Sequence, residues 1–302
     1  MRVPAAVRLG VLALAGLLAA GCAEAGPAAP VESAEQATAA VRAAYQRTVG
    51  AGTARVGVRL ELTADVAGGE EKAELTGDGW FDFARRTSRT EMTTPLGLRI
   101  EVRTVGVDFY EKAPPQLRRR CPGQREWMRV DFEAADRAQY GTPLYVFRPT
   151  GPDDPWQLLG VLPAASGVEA VDRPELADGT PTRRYRATLR MADVAAQGGS
   201  ATGPGRTRFQ QKTGVDTVPL ELWLDDAGRL RQLVATVPVR LAGADWTGTD
   251  DAVGGRATAT LTFGEYGTPV SVSAPPAGAT DDLTPLVSRR GLAAMAEIVG
   301  AV

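Results

Sequence analysis

From residue 55 onward the apolar residues recur at every second position, and short turns interrupt them. Val56, Val58, Leu60 and Leu62 alternate with Arg55, Arg59, Glu61 and Thr63. In "LGLRIEVRTVG", Leu98, Ile100 and Val102 face one way and Arg99, Glu101 and Arg103 the other. A period of two is the signature of a strand with one face buried and one solvated. Further strands are expected at 71–83, 86–94, 97–105, 107–112, 126–131, 168–173, 181–191, 217–225, 229–241 and 256–266. "DDAGR" at 225–229 reads as a hairpin loop whose Gly228 takes the left-handed conformation. The short connections make the pattern an antiparallel meander. An open twisted sheet of about ten strands tends to curl or split.

Few helices are available to cover such a sheet. Ser33 and Gln36 form a capping box, and Ala40, Val41, Ala44, Tyr45 and Thr48 follow at helical spacing until Gly50 and Gly52. In "DDPWQLLGVLP", residues 153–163, an Asp N-cap, Pro155 at the first position and Pro163 as stop predict a helix with Trp156, Leu159 and Leu162 on one stripe. Residues 288–300 are compatible with a short amphipathic helix, 197–206 with a flexible loop, and 273–285 are Pro-rich and irregular. The fold class is therefore α+β. It is a curled antiparallel half-barrel of about ten strands closed by two or three helices, with a hydrophobic cavity or a packed core between them. Alternation places Val58, Leu60, Leu98, Ile100, Leu222, Leu224, Leu233 and Leu261 on the concave face, beneath Trp156, Leu159 and Leu162, and leaves Trp223 outside. A slip of one residue would invert a strand.

The front of the chain addresses location. Arg2 and Arg8 precede an apolar run from Val11 to Ala20, too short to span a bilayer, which needs about 20 residues. Residues 1–21 thus read as a secretory signal. Leu18-Ala19-Ala20-Gly21-Cys22 resembles a bacterial lipobox, with Ala19 where a larger apolar residue is commoner. On that reading Cys22 is acylated and anchors the protein on the extracytoplasmic face of the cell membrane. The other reading is a plain signal peptide cut at Ala23 or Ala25. Residues 22–32 are rich in Ala, Gly and Pro and form a flexible tether.

Composition removes function classes. The 302-residue chain has 34 basic and 36 acidic residues, and loss of Arg2 and Arg8 with the signal moves the net charge from −2 to −4. No basic surplus points to nucleic acid. With no histidine, Ser-His-Asp and Cys-His catalysis and His metal sites are excluded. Acylation of Cys22 would leave Cys121 no intrachain disulfide.

Other constellations read as structural. Glu221, Asp225 and Asp226 have no partner to complete an acid–base set. Asp250-Asp251 and Asp281-Asp282 lack the spacing of a Ca²⁺ loop. Arg118-Arg119-Arg120 beside Cys121 reads as an exposed loop, or as an anion site that lowers the thiol pKa. Trp80, Trp127, Trp156 and Trp223 read as core, the usual place for aromatics, or as the lining of a ligand site. No catalytic residue, cofactor or metal ligand is expected, and the chain is not read as an enzyme.

The succession "VRTVGVDFYEKAP", "WMRVDF", "ADGTPTRRYRATLRM", "VPLELWLDDAGRLRQL" and "YGTPVSVSAPP", behind a lipobox, resembles the LppX/LprA/LprF/LprG lipoproteins of mycobacteria and their actinobacterial relatives, which group with the LolA-like carriers. The resemblance runs from about residue 33 to 277 and leaves 278–302 as a C-terminal extension. It implies a half-open barrel whose helices close a hydrophobic cavity, a lipid or glycolipid ligand, and an envelope transport partner. A sensor or interaction lipoprotein with a filled core is the alternative.

Overall fold

Strands form where the alternation runs. The structure, a computed structural model, describes residues 32–66, 69–95, 97–112, 114, 115, 118–131, 134, 157–197, 215–241 and 253–290. The strands are β1 (Thr53–Val66), β2 (Gly69–Asp82), β3 (Thr87–Thr93), β4 (Arg99–Val105), β5 (Asp108–Lys112), β6 (Trp127–Asp131), β7 (Ala165–Asp172), β8 (Arg183–Arg190), β9 (Thr217–Leu224), β10 (Leu230–Leu241), β11 (Val253–Gly264) and β12 (Thr280–Asp282). All belong to one open, curled sheet in the order β12-β6-β5-β4-β3-β2-β1-β11-β10-β9-β8-β7. Two meanders meet where β1 pairs with β11.

The sequence expectation is corrected in two respects. The sheet has twelve strands rather than about ten, and only one long helix stands over it among the described residues. β12 falls in the stretch expected to be irregular and pairs with β6 in parallel, whereas every other strand pairing is antiparallel. Three residues carry no readable alternation. β12 is set instead by long-range contacts. Asp281 accepts the Gly123 and Arg125 N–H groups at 3.0 and 3.1 Å, and the Arg125 guanidinium donates to the carbonyls of Ala277 and Thr280.

The long helix is α1 (Ala34–Val49). Its capping box is present, with Ser33 and Gln36 exchanging bonds of 3.0 and 3.2 Å. Ala37, Val41, Ala44 and Thr48 are buried on one stripe, against β7, β10 and a 3-10 turn at Leu162–Ala164. Small residues let the helix lie close to the sheet. Its C-terminal end is pinned by Thr48, whose hydroxyl accepts the Leu230 N–H at 2.9 Å, while the Tyr266 hydroxyl donates to the Leu230 carbonyl. At the other end the Glu32 carboxylate takes bonds from Arg183 (2.7 Å) and the Tyr185 hydroxyl (3.2 Å). Short helices α2 (Gln157–Gly160), α3 (Met191–Gln197) and α4 (Thr284–Arg290) and 3-10 turns at Arg118–Arg120 and Ala277–Ala279 are also described. The helix expected over 153–163 is thus a short α2 followed by the 3-10 turn that contains Pro163, and residues 153–156 lie outside the described residues. The helix expected over 288–300 begins earlier, at Thr284, and 291–302 lie outside the described residues.

Two glycines shape the curl. Gly77 and Gly79 of β2 lie on the inner face, in register with Val58 and Val56. A Cβ at Gly79 would stand 2.0 Å from the Arg89 carbonyl oxygen and 2.6 Å from the Thr90 Cα, so only glycine lets β3 fold in this closely. Gly228 has φ 72 and donates its N–H to Asp225 in the expected hairpin.

The outer face carries the alternate polar residues as ion pairs: Arg55–Asp78, Arg59–Glu74 and Arg89–Glu101 at 2.6 to 2.7 Å, and Arg184–Asp172 at 2.8 Å. Such exposed pairs contribute about 0–1 kcal/mol each and serve mainly to keep this face in water.

Candidate functional site

The inner face is ordered in cross-strand rows. One row runs Tyr185, Leu222, Leu233, Leu261, Val58, Gly77, Met92, Ile100 across eight strands, from β8 to β4. Tyr185, Leu222 and Leu233 are at most 2% exposed. From Leu261 to Ile100 every residue is only half-buried. The next row behaves alike: Ala187, Leu220, Ala235 and Ala259 are buried, and Leu60 and Leu75 are half-buried. Full burial therefore gives way to partial burial from β11 and β1 onward, where Val58, Leu60 and Leu261 still pack against the core.

Toward the Thr53 end of the strands the face is closed. Ala54, Phe81, Ser88, Thr104 and Val130 in one row are at most 3% exposed, with Phe109 half-buried between the last two. Phe263, Val56, Thr90, Glu111 and Met128 in the adjacent row are at most 8% exposed, with Val102 half-buried between Thr90 and Glu111. The inner face of β1–β5, the cup of the curled sheet, is thus buried at one end and half-buried at the other.

The expected wall residues divide accordingly. Val58, Leu60, Ile100 and Leu261 lie on the half-open part. Leu98 is half-buried in the turn before β4, where it and Thr94 exchange backbone-anchored bonds of 2.9 and 3.2 Å. Leu222, Leu224, Leu233, Leu159 and Leu162 are at most 2% exposed in the core beside α1. Trp156 lies outside the described residues. Val58, Leu60, Ile100, Leu222, Leu233 and Leu261 share one face by register, and alternation does not indicate what covers them.

Met92 and Leu75 join the half-open part, and both escaped the sequence reading because "TSRTEMT" and "KAELTGDG" are mostly polar. Met92 lies across Gly77, its Sδ 2.2 Å from where a Cβ would stand. The polar lining was missed too: Ser88, Thr90, Thr104 and Glu111 face inward.

The remaining constellations are structural. Glu221 pairs with Arg184 and Arg186, and Asp225 with Arg229. Asp281 and Asp282 are held by Arg125 and Arg129; Asp250-Asp251 and the lipobox through Cys22 lie outside the described residues. Among the described residues no group of three His, Cys, Asp or Glu side chains is placed to hold a metal.

Cys121 departs from its expectation. It is 2% exposed, and burial, then Asp281 and Glu111, push its thiol up, against a lowering by Arg118. Arg118 pairs with Glu126 at 3.6 Å, and its lowering of the thiol is outweighed. Trp127 is buried on the outer face beneath Arg103 and Lys112, whose charges lie 4.6 and 5.7 Å from its ring. Trp223 is half-buried outside, under Arg184.

No family model matches the chain, and no curated protein matches it in sequence. Solved structures do. Lipoprotein LppX of Mycobacterium tuberculosis superposes with a TM-score of 0.47 at 14% identity, over 80% of this chain and 100% of that one. LprF of Mycobacterium bovis gives 0.41 at 14%, over 82% and 99%. A LolA-superfamily protein of Nitrosomonas europaea gives 0.29 at 8%, over 82% and 96%. The structures this chain is similar to include those of two mycobacterial lipoproteins and a LolA-superfamily protein.

Proposed function

We propose that this chain is an extracytoplasmic lipoprotein, held to the cell membrane by acylated Cys22, that binds lipid or glycolipid in the cup of its curled sheet and hands it to an envelope partner. The observation that carries the reading is the row from Tyr185 to Ile100, apolar throughout apart from Gly77, whose full burial ends at β11. Partly buried apolar side chains in one contiguous stretch support reading it as a ligand or partner surface. Drawing a palmitoyl chain from a bilayer forfeits about 12 kcal/mol at 0.8 kcal/mol per CH₂, which a carrier must replace with apolar contacts of this kind. The wall on this reading is Val58, Leu60, Leu98, Ile100 and Leu261, joined by Met92. Leu222, Leu224, Leu233, Leu159 and Leu162 support it from behind.

Acylation at Cys22 is part of the proposal. Two or three acyl chains hold a protein far better than one. Cys22→Ala should release the protein to the medium, and a variant that still pellets with membranes after a salt wash would refute the anchor.

The solid packing of the helix-covered half favours a second reading, an interaction or sensor lipoprotein that carries no cargo. Native mass spectrometry of the protein purified from its own host separates the two. A lipid adduct beyond the acyl anchor supports carriage. Its absence, with an intact fold, supports the interaction protein.

A further inference from the structure

The half-open part of the inner face carries an apolar patch outside the main core. Val58, Leu60 and Leu261 pack against the buried cluster beside α1, whereas Leu75, Met92, Ile100 and Val102 do not join it. These four are half-buried, lie on β2, β3 and β4, and face the same way as Val58 by register. Among the described helices, α1 packs on β7 and β10, α3 on β8 and α4 on β6. The patch therefore lies between the strands under α1 and the strand under α4.

α4 brings the chain to the border of this patch. Leu283 and Val287 are 1% and 0% exposed. Leu283 donates its N–H to the Arg129 carbonyl at 2.8 Å, and the Thr284 hydroxyl accepts the Asp131 N–H at 2.9 Å, which fixes the start of α4 at β6. In the sheet order β4 is two strands from β6 and β2 is four, about 10 and 19 Å at the usual strand spacing. The sequence after α4, "GLAAMAEIVGAV", covers 291–302 and lies outside the described residues. Its one ionisable side chain is Glu297. Leu292, Met295, Ile298 and Val299 fall on one stripe at helical spacing, with Glu297 opposite. An apolar stretch of this length is too short to span a bilayer and is characteristic of a helix buried on protein. As a helix its twelve residues extend about 18 Å, the separation of β6 and β2.

We propose that the patch of Leu75, Met92, Ile100 and Val102 is the docking site of residues 291–302, with Leu292, Met295 and Ile298 laid against it. The segment covers the half-open side of the cup, and whatever binds there has to displace it. The docking stands on the patch and the segment, whether or not the cup carries lipid.

The test is peroxide oxidation of the mature full-length protein, followed methionine by methionine with peptide mass spectrometry. Conversion to the sulfoxide is slower where the thioether is covered. Met128 and Met191, 1% and 2% exposed, report on the intact fold; Met92 reports on the patch and Met295 on the segment. Ending the chain at Arg290 should speed the oxidation of Met92 severalfold and leave Met128 and Met191 slow. Leu292→Asp/Ile298→Asp in the full-length chain should speed both Met92 and Met295 severalfold, a result that does not depend on how truncation affects folding. Glu297→Gln, on the far side of the stripe, should change neither. The proposal is overturned by a Met92 rate that neither variant alters, or by a Met295 that oxidises as fast in the native wild type as in urea-unfolded protein. It is equally overturned by protection of Met92 that disappears on dilution, which assigns the patch to a second copy of the chain.

Discussion

On β8–β10 the inward residues Tyr185, Leu220, Leu222, Leu233 and Ala235 are at most 2% exposed, sealed beneath α1. On β1–β4 the same two rows continue as Val58, Leu60, Leu75, Met92 and Ile100, all half-buried. Both halves alternate with period two, and both send ion-paired arginines outward. They differ in how the inner face is closed. One half is closed by a helix with small residues on its inner stripe. The other is bent by Gly77 and Gly79 and closed only at its Thr53 end. Alternation specifies which face turns inward, but closure depends on residues far away in sequence. The two halves should therefore respond differently to the same kind of substitution.

The largest difference is expected from truncation. Leu222→Ala in the helix-covered half should cost about 2–5 kcal/mol, the range for a buried leucine that leaves a cavity. Ile100→Ala in the open half should cost less than half as much, since water already reaches the site. Urea unfolding at constant slope measures both, and equal costs would erase the distinction. Next comes the bend. Gly79→Ala meets backbone atoms at 2.0 and 2.6 Å, and should cost about 1–3 kcal/mol as an overpacked site. Gly77→Ala also meets the Glu91 carbonyl oxygen, at 2.8 Å, but its nearest contact is the movable end of Met92, so it should cost less than Gly79→Ala. Thr48→Val removes the acceptor of the Leu230 N–H and should cost about 1–3 kcal/mol, from the helix-covered half alone. It should leave ligand binding in the cup unchanged if β1–β4 form a separate surface.

The smallest effect depends on pH and probes the β2–β3 turn. Burial pushes the Asp82 carboxyl up, but the Arg85 N–H, the Arg85 guanidinium and the Ala84 N–H outweigh it and hold the pKa below its ordinary value. A lowered folded pKa means that Asp82 contributes stability above the unfolded value of about 3.9. That contribution is lost as pH falls through the folded value. Wild type should be more stable than Asp82→Asn at neutral pH, and the gap should shrink below about pH 4. A gap that is constant with pH would show that the carboxylate charge is not what holds the turn.

Much of this architecture can be read in the residues. The alternation around Val58, Ile100 and Leu222 finds the strands and their inward face, because burying one side of a sheet imposes a period of two wherever it happens. Ser33 and Gln36 mark the start of α1 for an equally local reason. What escapes is what depends on distant partners. β12 is three residues that pair with β6 from about 150 positions away. Cys121 sits beside three arginines in sequence, yet the fold puts it against Glu111 and Asp281. Gly77 and Gly79 lie within the expected strand 71–83, and only the approach of β3 reveals their role. Leu222 and Val58 look equivalent in pattern, yet the fold buries the first and leaves the second half-buried.

Thermal unfolding of Val58→Trp beside Ala235→Trp tests the central distinction most directly. Ala235 is 1% exposed in the helix-covered half, and Val58 is half-buried in the open half. Interiors are packed like organic crystals, so a tryptophan at 235 should overpack the core, cost about 1–3 kcal/mol or more, and lower the melting temperature by several degrees. A tryptophan at 58 should enter the mouth of the cup and leave the melting temperature close to that of the wild type. If Val58→Trp destabilises the protein as much as Ala235→Trp does, the two halves are equally filled, and the cup does not exist.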